Sequence, residues 1–226
     1  MTTTIPRASA ILGAARTLAA KLLLAVPIDR TALSQAMTES AGGNDAAGAW
    51  QQRDSFEALE VALSLAIPEL VGRMDVGAAI STLEALSLEL PTHTVRSEDQ
   101  IQFQQFSTPP ALARLAVHLA RISSDDLLLE PSAGTGIIAS LAKGAVKDLI
   151  LNELEPTRAD LLEAVFPGTK VYRHNGAKLS ALLSGTERPS VVLMNPPFSV
   201  SQSLGEDQNT ASRHLRAALD HLLPGG

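Results

Sequence analysis

The chain has 226 residues, 45% of them hydrophobic and 19% charged, which excludes a bare peptide motif and a wholly disordered chain. That length suits one large domain or two small ones, and an aromatic content of 3% leaves Ala, Leu, Ile and Val to build the core. Eighteen Lys+Arg against 24 Asp+Glu give a formal charge of −6, so contact with a polyanion has to be local and not a matter of bulk charge. The absence of cysteine excludes a disulfide framework, a thiolate nucleophile and a finger-type zinc site, and a reducing, cytoplasmic compartment is expected.

Ile11, Leu12, Ala15, Leu18, Ala19, Leu22 and Val26 recur at helical spacing and predict an amphipathic helix packed on its own domain. Arg7, Arg16 and Lys21, with no acid before Asp29, also suit a transit peptide, but the periodicity favours the helix. The apolar run Leu22 to Ile28 is too short to span a bilayer, and no membrane contact is expected. Gly42, Gly43, Asn44 and Asp45 mark a loop from Ser40 to Gly48, after which Trp50 reads as a core or rim residue. Phe56, Leu59, Leu63, Ala66 and Ile67 form a second stripe, and Val76, Ile80, Leu83, Leu86 and Leu90 a third, with Pro68 between them expected to break or begin a helix. Residues 1–95 thus read as a helical domain without a catalytic constellation. It is free to clamp DNA, contact a specificity subunit or pack on a sheet.

From residue 96 to 226 the rhythm becomes that of an α/β domain with a parallel sheet. Strands are predicted at 127–130, 148–153, 169–173 and 190–195. Helices at 137–143, 157–165 and 178–183 are long enough for right-handed crossovers, and a further helix at 109–122 has its proline suitably early.

Three places carry chemistry. The run Leu-Leu-Leu-Glu-Pro-Ser-Ala-Gly-Thr-Gly at 127–136 ends a strand in a glycine turn and opens a helix, so backbone can approach a ligand closely. It is neither a dinucleotide fingerprint nor a phosphate loop, and Glu130 would repel a phosphate. An acid there favours a ligand carrying a cation, a requirement that S-adenosylmethionine (SAM) meets. About 20 residues on, Glu153 stands where an acid accepts hydrogen bonds from ribose hydroxyls, and Asn175-Gly176 after the third strand stands where an adenine edge would be read. An Asn-Gly pair is equally an ordinary turn signal.

Asn195-Pro196-Pro197-Phe198 follows the β-rich run 191–194. Two prolines hold an extended turn, because each ring locks φ and restricts the residue before it. The Asn195 side-chain oxygen and the Pro196 carbonyl are then placed to accept both hydrogens of a planar amine. Phe198 can stack on a planar substrate, worth about 1–3 kcal/mol for a base on an aromatic ring. Read structurally, the same four residues are a tight turn with a core Phe. Upstream, in Gln105-Phe106-Ser107-Thr108-Pro109-Pro110, Thr108 is expected to cap the following helix and Phe106 to pack over a ligand's aliphatic end.

Taken together, Phe106 to Pro109, Glu130-Pro131 to Gly134 and Gly136, Glu153 and Asn195 to Phe198 resemble the amino-directed, SAM-dependent methyltransferases, above all the DNA adenine type of restriction-modification systems. The resemblance implies a Rossmann-like methyltransferase sheet. It also implies that Phe106, Thr108, Pro109, Glu130, Pro131, Gly134, Gly136, Glu153 and Asn175 hold SAM, while Asn195, Pro196, Pro197 and Phe198 grip a flipped adenine in DNA. More narrowly, 192–199, the later run from His214 to Leu219 and the closing Leu-Pro-Gly-Gly are similar to the methylase modules of bacterial strawberry-notch-like methylase/helicase proteins. An RNA base or a protein glutamine amide would suit the same Asn-Pro-Pro turn, and so would a non-catalytic SAM-binding fragment. Two departures stand out: Asn175 replaces the Asp usual near adenine, and Glu130 stands where Asp is common. Because the family's later strands are missing, a C-terminally truncated sheet is expected, completed by a continuation of the chain or by a partner subunit.

Overall fold

The computed structural model describes residues 5–92, 107–179, 183, 188–196 and 210–225. Four helices come first: α1 (Arg7–Leu23), α2 (Arg30–Ala41), α3 (Gln52–Val71) and α4 (Val76–Glu89). The alternating part follows as α5 (Pro110–Leu119), β1 (Leu127–Glu130), α6 (Ile137–Ala142), β2 (Asp148–Asn152), α7 (Pro156–Val165), β3 (Lys170–Tyr172), a 3-10 turn (Gly176–Lys178), β4 (Val191–Val192) and α8 (Thr210–His221). The fold is α/β, with one parallel sheet in the order β3-β2-β1-β4 preceded by a helical region.

Strand sides alternate with a period of two, and here both faces are covered. Leu128, Leu149 and Leu151 enter one apolar cluster, with Ala139, Leu162 and Phe166 of the crossover segments. Leu129 and Ile150 point the other way, onto Leu179 and Leu183. The first strand is pinned at its start: the Ser190 hydroxyl donates to Asp126 at 2.7 Å while accepting from the Leu127 N–H at 3.0 Å. β4 is shorter than the predicted 190–195. Its ladder with β1 runs from the Ser190 N–H to the Leu193 N–H, and residues 193–196 belong to no strand.

The helical region packs directly on this sheet layer. Ile67 and Val71 of α3 and Ala79 and Leu83 of α4 lie in the same cluster as Leu128 and Leu151, each fully buried leucine contributing about 1.5–3 kcal/mol. A second cluster joins α1, α2 and the first half of α3, and takes in Leu161 of α7. In it α1 buries Ile11, Ala15, Leu18, Ala19 and Leu22 as the spacing predicts, but Val26 lies beyond the helix end and is exposed. Trp50 is buried, its indole N–H donating to the Gly43 carbonyl at 3.1 Å.

Pro68 corrects an expectation: it neither breaks nor begins a helix, because α3 runs on to Val71. The ring costs one backbone donor in the last turn, and the burial of Ile67 and Val71 on either side holds that turn in place. No described helix is long and apolar enough to cross a membrane.

Gly136, the N-cap of α6, has φ +85°, and a Cβ there would lie 2.5 Å from Phe166 Cε2 and 2.9 Å from Leu162 Cδ2. Gly136→Ala is expected to cost about 1–3 kcal/mol through overpacking and a strained backbone. Gly144→Ala, with nothing within 4 Å of the new carbon, is the matched control. Chemical denaturation of both variants checks this, and equal midpoints would contradict it.

Candidate functional site

Of the predicted site residues, Glu130, Pro131, Gly134, Gly136, Glu153, Asn175, Asn195 and Pro196 lie at or after the carboxyl ends of the strands, where open α/β sheets bind ligands. Their framework is Asn152, buried at the end of β2. Its amide nitrogen donates to the Pro131 and His174 carbonyls, both at 2.9 Å, and its oxygen accepts from the His174 N–H at 3.0 Å. One amide thereby ties the loops after β1 and β3 to the end of β2. A Cβ on Gly176 would come within 3.0 Å of the Pro131 carbonyl oxygen, so the Asn175-Gly176 turn passes close to the start of the glycine loop.

Above this lies the loop itself. Gly134 has φ +55°, and among the described residues a Cβ there would meet only Arg158 Nη1, at 3.7 Å. Its N–H donates to Glu153 Oε2 at 2.8 Å, while Glu153 Oε1 accepts from the Glu155 N–H at 2.9 Å. Burial pushes the Glu153 carboxyl above the usual range, opposed by the Glu155 N–H and by Arg158. Glu130 sits beneath the loop, 2% exposed, accepting from the Ala139 N–H at 3.0 Å in the first turn of α6. Asn175 is exposed and accepts from the Ala177 N–H at 3.0 Å, which caps the 3-10 turn.

Two motifs 87 residues apart meet across this loop: Asn195 Nδ2 donates to Thr108 Oγ1 at 3.0 Å. Thr108 therefore does not cap α5 as expected. Pro109 is the N-cap residue of that helix, with no side-chain cap, and the Thr108 hydroxyl is turned to Asn195 instead. Between them is a cavity of about 30 Å³ lined by Thr108, Asn195, Gly134, Thr135, Arg158 and Glu60, among others. A neighbouring cavity of about 110 Å³ shares Glu60, Ser107, Thr108 and Thr135 and adds Leu63, Pro109 and Pro110. Phe106, Pro197 and Phe198 lie outside the described residues.

The helical region contributes what sequence reasoning missed. Glu57 and Glu60, one turn apart on α3, face the buried Arg158 of α7. Arg158 Nε donates to Glu57 Oε1, and Arg158 Nη2 lies 3.6 Å from Glu60 Oε2. Glu60 also accepts from the Ser107 hydroxyl and, at 3.5 Å, from the Thr135 hydroxyl. Burial pushes the Glu60 carboxyl up, Arg158 draws it down and Glu57 raises it again. Burial opposes the charge on Arg158, but Glu57 and Glu60 outweigh it and hold the guanidinium protonated. The one available signal was a pair of acids at i, i+3 beside an apolar stripe, a pattern that usually marks a solvated helix face.

A carboxylate offers about four lone-pair positions, so Glu153 keeps acceptor capacity beyond the Gly134 and Glu155 N–H groups.

No family model matches the chain, and no curated protein does. Among solved structures it is similar to a protein of Pyrococcus horikoshii provisionally assigned as an RNA methyltransferase, at 23% identity and TM-score 0.46, over 63% of this chain and 69% of that one. It is similar to TrmN from Thermus thermophilus at 19% identity and TM-score 0.45, over 74% and 65% of the two chains. A third likeness is to the modification subunit of a provisionally assigned type I restriction enzyme from Vibrio vulnificus, at 15% identity and TM-score 0.43. It covers 64% of this chain but only 35% of that subunit. Likenesses at this level carry nothing about what this chain binds or acts on.

Burial is the main reason that Glu130 is pushed well above the carboxylate range, with the Ala139 N–H opposing and Glu153 adding to it. The folded chain thus holds this proton more tightly than the unfolded chain. Its stability should be greatest below the ordinary carboxylate pKa and fall as pH rises through the raised value. Glu130→Gln is expected to flatten that decline, which melting temperatures from about pH 4 to about pH 8 would show. An unchanged slope would mean the carboxyl is ionised at no cost.

Proposed function

We propose that this chain is a methyltransferase module that moves a methyl group from SAM to the exocyclic amine of adenine in DNA. The observation that carries this reading is the hydrogen bond from Asn195 to Thr108, which joins the Asn-Pro-Pro and Thr-Pro elements at the mouth of the glycine loop. In this reading residues 96–226 hold cofactor and base, and residues 1–95 form the helical part.

Thr108, Pro109, the loop from Pro131 to Gly136 and Glu153 would hold SAM, with Phe106 and Asn175 at its ends. Glu130 serves from below by fixing the start of α6. When bound, SAM supplies an electrophilic methyl on a sulfonium centre. The remaining work belongs to the chain. Asn195, its amide held through nitrogen by Thr108, offers its oxygen to one amine hydrogen, and the Pro196 carbonyl takes the other. An amine held through both hydrogens has its lone pair turned away from them, so it would form the new N–C bond as the methyl–sulfur bond breaks to leave the neutral thioether; one N–H proton would then pass to solvent, and no general base is needed to begin. In duplex DNA the adenine must first leave the stack, and Pro197 and Phe198 complete the grip on the flipped base. β4 is an edge among the described strands, and an edge of this kind is where a further strand or a partner subunit could pair.

Asn195→Ala should lower methyl transfer about 10²–10³-fold, the cost of removing one preorganised polar contact at a reacting group, while SAM binding persists. Gly134→Val should abolish SAM binding in calorimetric titration. Product analysis after incubation with DNA, RNA and a glutamine-bearing protein distinguishes the acceptors. Full transfer by Asn195→Ala would sink the mechanism, and SAM binding without transfer to any acceptor would leave a cofactor-holding fragment.

A further inference from the structure

In the reading above, the cofactor pocket needs an anion for the positive end of its ligand. Glu130 does not line either cavity, being 2% exposed and turned to the Ala139 N–H beneath the loop. Glu153 is engaged by Gly134 and Glu155 at the β2 side. The one acid lining both described cavities is Glu60, which comes from α3 in the helical region.

Its setting is a built one. The carboxylate accepts from the hydroxyls of Ser107, in the element before α5, and of Thr135, in the glycine loop. Burial raises the Glu60 carboxyl, and Arg158, 3.6 Å away and itself bound to Glu57, opposes that rise by favouring the ionised form. Thr108 and Asn195, the residues that join the two motifs, line the same small cavity. A negative charge is therefore presented where glycine-loop backbone, the Thr-Pro element and the Asn-Pro-Pro turn converge.

We propose that Glu60 receives the α-ammonium group of the amino-acid end of SAM, so that the helical region supplies part of the cofactor site. This rests on the SAM reading. An ammonium can accept the geometry that two hydroxyls now satisfy, because each carboxylate oxygen has a second lone pair to offer. A charge-assisted hydrogen bond in a half-buried site is stronger than the neutral bonds it joins.

The test is calorimetric titration of the full chain and of Glu60→Gln with two ligands, SAM and 5′-methylthioadenosine, which keeps the adenosine and sulfur but lacks the amino-acid end. Circular dichroism and melting confirm that the variant is folded. The expected result is at least a tenfold weaker SAM affinity in Glu60→Gln with 5′-methylthioadenosine binding unchanged. Unchanged SAM affinity in the variant would overturn the role of Glu60 while leaving the SAM reading intact. Equal weakening of both ligands would also overturn it, because that outcome marks a structural residue. Failure of the wild-type chain to bind either ligand would overturn the SAM reading and this proposal with it. Should Glu60→Gln not fold, Glu60→Asp, which shortens the reach but keeps the charge, is expected to show the same selective loss for SAM.

Discussion

The guanidinium of Arg158 is buried between two parts of the chain, and it cannot shed its charge. A buried cation without partners costs several kcal/mol, so the fold has to bring acids to it. Those acids are Glu57 and Glu60 on α3, about a hundred residues earlier. Satisfying one side chain of α7 thus fixes where α3 lies against the glycine loop, and with it how the helical region sits on the sheet. The apolar packing of Ile67 and Val71 against the sheet cluster acts in the same direction but lacks this directionality, since a hydrophobic contact tolerates sliding that an ion pair of this kind does not.

Around that anchor, polar groups at the carboxyl edge are shared rather than duplicated. Asn152 serves two loops with one amide, and Glu153 holds the glycine loop with one oxygen and the start of α7 with the other. Buried polar networks of this kind resist rearrangement because losing one member leaves the others unpaired in a low-dielectric setting. The consequence is a preorganised edge: the backbone that would meet a ligand is held by side chains from beneath and from the side. Gly136 shows the same economy from the packing side, its missing Cβ being the space that Phe166 and Leu162 fill.

Much of the architecture was legible because hydrophobic period reports element type directly. The stripe from Ile11 to Leu22 became α1, and the runs predicted at 127–130 and 148–153 became adjacent parallel strands, the second ending at Asn152. The glycine turn was legible because only glycine adopts positive φ without steric cost, as Gly134 and Gly136 do. Pro68 was misread because the rule that proline ends helices is local, whereas the last turn of α3 is held by distant apolar contacts. Thr108 was misread for a related reason. Its side chain had a local partner available in principle, but Pro109 took the cap position and a residue 87 positions away took the hydroxyl.

The sequence by itself determined the order of elements, the two regions of different rhythm and the glycine turn after the first strand, since all of these follow from periodicity, turn chemistry and spacing along the chain. Only the tertiary structure decided that Glu60 lines the cavity, that Glu57 pairs with Arg158 and that Glu130 lies beneath the glycine loop. A carboxylate's part depends on the dielectric and the partners around it, and those are set by residues far apart in the chain whose meeting no local pattern records.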